Sequence, residues 1–101
     1  MTAIALDHPA VAELELTAVL HALSDPIRLR IARELAADGV ERRCGSFDLP
    51  VTKSTCTHHF RVLREAGVIE QWADGTAKMT RLRRADLDAR FPGLLDAILG
   101  G

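Results

Sequence analysis

Apolar residues along positions 10–23, AVAELELTAVLHAL, fall on two sides of a helix. Val11, Leu14, Ala18 and Ala22 line one side, and Leu16, Val19, Leu20 and Leu23 line the other. That band is wider than one core contact needs, so the second side is expected to bury against a partner subunit. SDPIRLRIARELAADG follows, with Asp25 as N-cap, Pro26 at the first helical position and Gly39 just past the end. Ile27, Leu29, Ile31 and Leu35 supply its apolar contacts, while Arg28, Arg30 and Arg33 are expected to face outward. Gly45 and Pro50 limit any helix in VERRCGSFDLPV (40–51) to one or two turns.

Thr52 caps a further helix over 53–66, whose stripe is Cys56, Phe60, Leu63 and Ala66, with His59 beside it and Gly67 closing it. The period then changes. In 68–82, VIEQWADGTAKMTRL, two short extended runs flank Asp74-Gly75, a tight-turn signal for a β-hairpin. RRADLDARFPGLLDAILGG begins a turn of helix, breaks near Pro92 and ends in an apolar helix over 92–99. The order is mainly α with one hairpin, α-α-α-α-β-β-α, in a single domain. That is a winged helix-turn-helix, with 53–66 as recognition helix and 68–82 as wing.

Composition narrows the class. The 101 residues suffice for one modest core, and 48% apolar content marks a globular chain. No apolar run approaches the ~20 residues of a membrane span. MTAIALDHP lacks the basic and apolar regions of a signal peptide, and two cysteines are too few for a disulfide scaffold. A cytoplasmic address follows. Net charge is −1, but it is unevenly spread. Residues 1–25 carry four acids and no Lys or Arg, whereas residues 53–84 carry seven bases against three acids. Such a polarised chain can meet a polyanion with one face.

With the apolar stripe set aside, 53–66 presents Lys53, Ser54, Thr55, Thr57, His58, Arg61 and Arg64. Hydroxyls, a histidine and long bases are what phosphates and base edges require. Ser54, Thr55, Thr57 and His58 are expected nearest the groove floor, with Arg61 and Arg64 on backbone phosphate. Lys78 and Arg81 of the wing are expected to reach phosphate or the neighbouring minor groove. A merely solvated helix face is the alternative. The hydroxyl-rich positions beside a basic hairpin favour double-stranded DNA.

LSDPIRLRIARELA (23–36), then KSTCTHHFRVLREAGVIE (53–70), then a hairpin with a central Gly, resembles the ArsR/SmtB family of bacterial winged-helix repressors. The resemblance covers about residues 15–84. It implies a homodimer through the first and last helices, with Val11, Leu14, Ala18, Leu94, Leu95 and Ile98 at the interface. It also implies a palindromic operator and release by an inducer. Metal sensors of that family carry a Glu-Leu-Cys-Val-Cys-Asp-Leu box, where this chain has GVERRCGSFDL with Cys44 displaced from both cysteine positions. The family's other metal site needs Asp and His pairs on the last helix, and no histidine follows His59 here.

Other sensing residues are few. His58 and His59 point ~100° apart on a helix and make poor joint metal ligands. Cys56 reads as a small apolar core residue. Cys44, beside Arg42 and Arg43, is an ordinary thiol at a short helix start or, with a lowered pKa, a reactive one. His8 precedes Pro9 in a tail expected to be mobile, and His21 lies on the first helix. With Asp7 or Glu13, or with a residue of a second subunit, they would suit nickel or zinc, and Cys44 is a further candidate ligand. No phosphate loop, nucleophile elbow or paired carboxylates point to an enzyme. The alternatives to an ArsR-type repressor are therefore a metal-responsive or thiol-responsive regulator with a non-standard site, a regulator governed by a small molecule or partner protein, and a winged helix that binds proteins instead of DNA.

Overall fold

The computed structural model describes residues 4–5 and 7–100. Asp25 caps its helix as the sequence requires. Its carboxylate accepts from the amides of Ile27 and Arg28 at 2.8 and 3.2 Å. Burial alone would raise the Asp25 pKa, but those two amide donors and the nearby charges of His59 and Arg28 outweigh it and hold the pKa below the usual value. Helix α2, Pro26–Asp38, starts there and stops where Gly39 turns left-handed at φ 68°. Before it stands α1, Leu16–Leu23.

The expected single helix over 10–23 is broken. Val11–Glu13 form a separate 3-10 turn, and Leu14 leaves it extended, at ψ 129°. The cause lies far along the chain. Leu14 is buried against Gly67, where a Cβ would stand 2.1 Å from Leu14 Cδ2. Dropping Leu14 into that notch requires the chain to leave the helix.

Residues 40–51 contain no α-helix. Arg42–Arg43 form a short strand, β2, and Cys44–Ser46 a single 3-10 turn. Arg42 anchors this segment, pairing with Glu34 and Asp38 of α2 while its guanidinium lies 3.9 Å over the Phe47 ring. Helix α3, Lys53–Glu65, begins at Thr52, whose hydroxyl accepts from the Thr55 amide. After α3, Gly67 takes φ 83°, which lets the Val68 amide bond back to the Leu63 carbonyl.

The hairpin comprises β3, Ile69–Asp74, and β4, Ala77–Leu82. Asp74 pairs with Ala77, so the turn is Gly75-Thr76, one residue later than the sequence suggests, with Gly75 at φ 65°. Backbone pairing of Ile4–Ala5, here β1, with β3 and of β2 with β4 extends it to four antiparallel strands, in order β1-β3-β4-β2. Helices α4, Arg84–Arg90, and α5, Leu94–Leu99, close the chain on either side of a break at Pro92-Gly93.

The core draws on every main element: Val19 and Ala22, Ile31 and Leu35, Phe60 and Leu63, Ile69, Leu82, Leu87 and Leu95. It thereby fixes α3 against α1, α2 and the hairpin. Burying one such Leu or Ile contributes about 1.5–3 kcal/mol. Leu14 and Leu95, expected at a subunit interface, belong instead to this internal core, at 1% and 0% exposure. Ala18, Leu94 and Ile98 are half-buried. Val11, with Leu16 and Leu20 of α1, stays exposed at 36–44%. Among the described residues, no helix is long and apolar enough to cross a membrane.

Candidate nucleic-acid interface

The outer face of α3 follows from its 3.6-residue period. His59, Phe60 and Leu63 turn inward, leaving Lys53, Ser54, Thr55, Thr57, His58 and Arg61 exposed on one helix. Local bonds order the hydroxyls. Thr57 Oγ1 donates to the Lys53 carbonyl at 3.0 Å, and Thr52 donates to Thr55 Oγ1 at 2.9 Å. The first turn contains no acid, and neither Lys53 nor Arg61 forms an ion pair among the described residues. Their charges face outward and uncompensated.

The two histidines separate as helix geometry demands. His58 is exposed, while His59 is buried and its Nδ1 accepts from Arg28 Nη1 at 3.2 Å. Arg28, expected on the surface, is only 7% exposed. Its Nε donates to the Ala22 carbonyl at 2.7 Å and its Nη2 to the His21 carbonyl at 3.3 Å. One guanidinium thus satisfies the orphan carbonyls at the end of α1 and supports α3 from below. Sequence reasoning missed it because two of its three partners are main-chain atoms of a different helix.

Arg64 does not share the exposed face. It is half-buried behind α3, and its Nη1 donates to Gln71 Oε1 on β3 at 2.8 Å. Its Nε is enclosed, with no acceptor among the described residues. Gln71 is itself 1% exposed, and its Nε2 donates to Cys44 Sγ at 3.2 Å. Arg64, Gln71 and Cys44 therefore join α3, the hairpin and the 3-10 turn.

Strand alternation separates the two wing bases. Lys78 shares its face with the buried Thr80 and Leu82, the face that meets α3. Arg81 lies on the opposite face, bonded to Glu70 directly across the ladder and 5.5 Å above the Trp72 ring. Lys78 joins the α3 side, and Arg81 does not. A cleft of about 140 Å³ opens between α3 and the hairpin, where Arg61, Arg64 and Lys78 meet Thr57.

His8, His21 and Cys44, the candidate metal ligands, are not gathered into one site. His8 Nε2 accepts from the Gln71 amide at 2.8 Å, so the segment expected to be a mobile tail is held along β3 at this point. His21 is exposed near the end of α1. Among the described residues, no group of three or more His, Cys, Asp or Glu is placed to hold a metal ion. Nor does Cys44 have a lowered pKa. Arg42 is turned away to α2, and burial pushes the Cys44 thiol up, outweighing the Gln71 hydrogen bond and the charge of Lys78. Burial raises Cys56 as well.

Comparison with known proteins agrees with this geometry. Residues 23–71 match a family model described as a helix-turn-helix domain, a span that holds α2 and α3 and reaches into β3. The chain is 35% identical over 82 residues to YceK of Bacillus subtilis (strain 168), an uncharacterised HTH-type transcriptional regulator. That alignment covers 79% of this chain and 82% of the relative. Among solved structures, the transcriptional repressor BigR from Xylella fastidiosa superposes with a TM-score of 0.62 at 26% identity. The match covers 82% of this chain and 84% of that one.

Proposed function

The chain belongs to the helix-turn-helix transcriptional regulators, and from that premise we propose that it is a sequence-specific DNA-binding repressor of the ArsR type. The observation that carries the reading is the outer face of α3. It presents six exposed polar residues, with two cations unpaired among the described residues and locally ordered hydroxyls, on a helix held rigidly from behind. Thr57 and His58 read base edges, Arg61 contacts phosphate, and Lys78 adds a backbone contact from the wing.

The working unit in this reading is a cytoplasmic homodimer on a palindromic operator, its half-sites one or more helical turns, ~34 Å each, apart. Exposed Val11, Leu16 and Leu20 support dimerisation, because they leave an apolar strip that this chain does not cover by itself. Binding of an inducer releases the operator.

Fluorescence anisotropy on the DNA upstream of the protein's own gene tests the reading. Arg61→Ala weakens binding to every sequence, whereas Thr57→Ala and His58→Ala change the preference among sequences. A footprint that none of the three alters overturns the assignment of α3.

A further inference from the structure

We propose that the cleft between α3 and the hairpin is a discrete site for one tetrahedral oxyanion of the phosphate class. This deepens the DNA-binding reading, and rests on it where the oxyanion is a phosphate of the DNA backbone.

Three cations, Arg61, Arg64 and Lys78, line a space of about 140 Å³, and among the described residues no carboxylate lines it with them. The nearby acids are directed elsewhere. Glu65 lines the surface between α1 and α3, Glu70 is bonded to Arg81 on the other face of the sheet, and Asp74 is exposed where β3 ends. Like charges gathered in a cleft without a counter-ion favour an anion there.

Arg64 carries the argument further. Gln71 fixes its guanidinium through Nη1, and Gln71 is in turn held by Cys44. The fork is therefore oriented before any ligand arrives. Its Nε–H is enclosed and has no acceptor among the described residues. Enclosed donors are normally satisfied, so this one has room for an acceptor from beyond the described residues. A doubly or singly charged oxyanion supplies it and offers further oxygens to Arg61 and to the flexible ammonium of Lys78. Thr57 contributes a wall and no donor, since its hydroxyl proton is given to the Lys53 carbonyl.

The Nε–H resonances of arginine in the full-length chain test the site directly. Sodium phosphate is titrated against sodium chloride at matched ionic strength, without DNA. The Arg64 Nε–H signal shifts and saturates with phosphate, and does not do so with chloride. Lys78→Gln, at an exposed position, weakens that response roughly tenfold or more, the loss of one charge-assisted bond. Arg81→Gln removes the same charge from the opposite face and leaves it unchanged. A response to phosphate no different from chloride, or one indifferent to Lys78→Gln, overturns the site.

Adding duplex DNA separates the two sources. Displacement of free phosphate identifies the occupant as a backbone phosphate, and simultaneous binding identifies a free anion; both support the site. Phosphate saturation in a chain that binds no DNA keeps the site and removes the DNA-binding reading. DNA binding with equal responses to the two salts does the reverse.

Discussion

Arg64 on α3 and Gln71 on β3 are joined by a 2.8 Å hydrogen bond that couples the DNA-facing helix to the wing. The bond does more than fill space. Gln71 is an amide with two ends, and its other end reaches Cys44 in the neighbouring segment. The orientation of the hairpin relative to α3 is thus tied to a polar contact between them. Gln71→Leu keeps the volume and leaves Arg64 Nη1 without its acceptor. It is expected to cost about 1–3 kcal/mol. In a domain of this size that lowers Tm by roughly 4–8 °C per kcal/mol, read by thermal unfolding.

A second device lies beneath α3. Arg28 donates to the carbonyls of His21 and Ala22 and to His59, all from within the core. Arg28→Ala leaves these acceptors empty and is expected to cost about 1.5–3 kcal/mol in urea unfolding. Arg28→Lys restores the charge but not the fork, and recovers less than half of the loss. Full recovery by lysine would show that charge, rather than the geometry of the three bonds, is what matters.

Leu14 and Gly67 form a matched pair. Gly67 sits at φ 83°, and a methyl group there would overlap Leu14 Cδ2. Gly67→Ala is expected to cost at least the ~1–2 kcal/mol of a left-handed alanine, with the overlap added. Leu14→Ala loses about 2–5 kcal/mol as a core truncation. In the double variant the overlap disappears, so the two losses sum to more than the combined effect. A double-mutant cycle by urea unfolding measures that coupling, and strict additivity would contradict the contact.

These pairs mark the limit of what the sequence makes legible. Local signals are reliable where the cause is local: Asp25-Pro26 opens α2, Gly39 ends it, Thr52 opens α3, and the period of Cys56, Phe60 and Leu63 orients it. The break at Leu14 is invisible because Gly67, which causes it, lies more than fifty residues away. Arg28, Arg64 and Arg81 all read as surface cations. Three different partners, main-chain carbonyls, a buried amide and a cross-strand glutamate, give them three different places. The strand at Arg42–Arg43 has too few residues to show any period. The outer face of α3 is legible except at Arg64, since it is what remains once the apolar stripe is removed, and Arg64 leaves it for Gln71.

Cys44 is expected to be a sluggish thiol. Its burial, which outweighs the Gln71 hydrogen bond, keeps the proton on sulfur to higher pH than in the unfolded chain. Iodoacetamide should therefore alkylate it more slowly in the folded protein than in urea at pH 8. The linked stability contribution is whole at pH values below the ordinary thiol range. It declines as pH rises, because the unfolded chain then releases its proton first. Faster alkylation of the folded chain would reverse both statements.

The central claim is that the exposed face of α3, aided by Lys78, binds duplex DNA. The most direct test is anisotropy on the DNA upstream of the protein's own gene, with affinity measured across a range of salt concentrations. Affinity is expected to fall steeply and linearly in log–log form, and Arg61→Ala and Lys78→Ala each to reduce the slope by about 0.9, one phosphate contact apiece. Arg81→Ala, on the opposite face of the sheet, is expected to leave the slope unchanged. Binding that ignores salt, or a slope that depends on Arg81 and not on Arg61, would contradict the account.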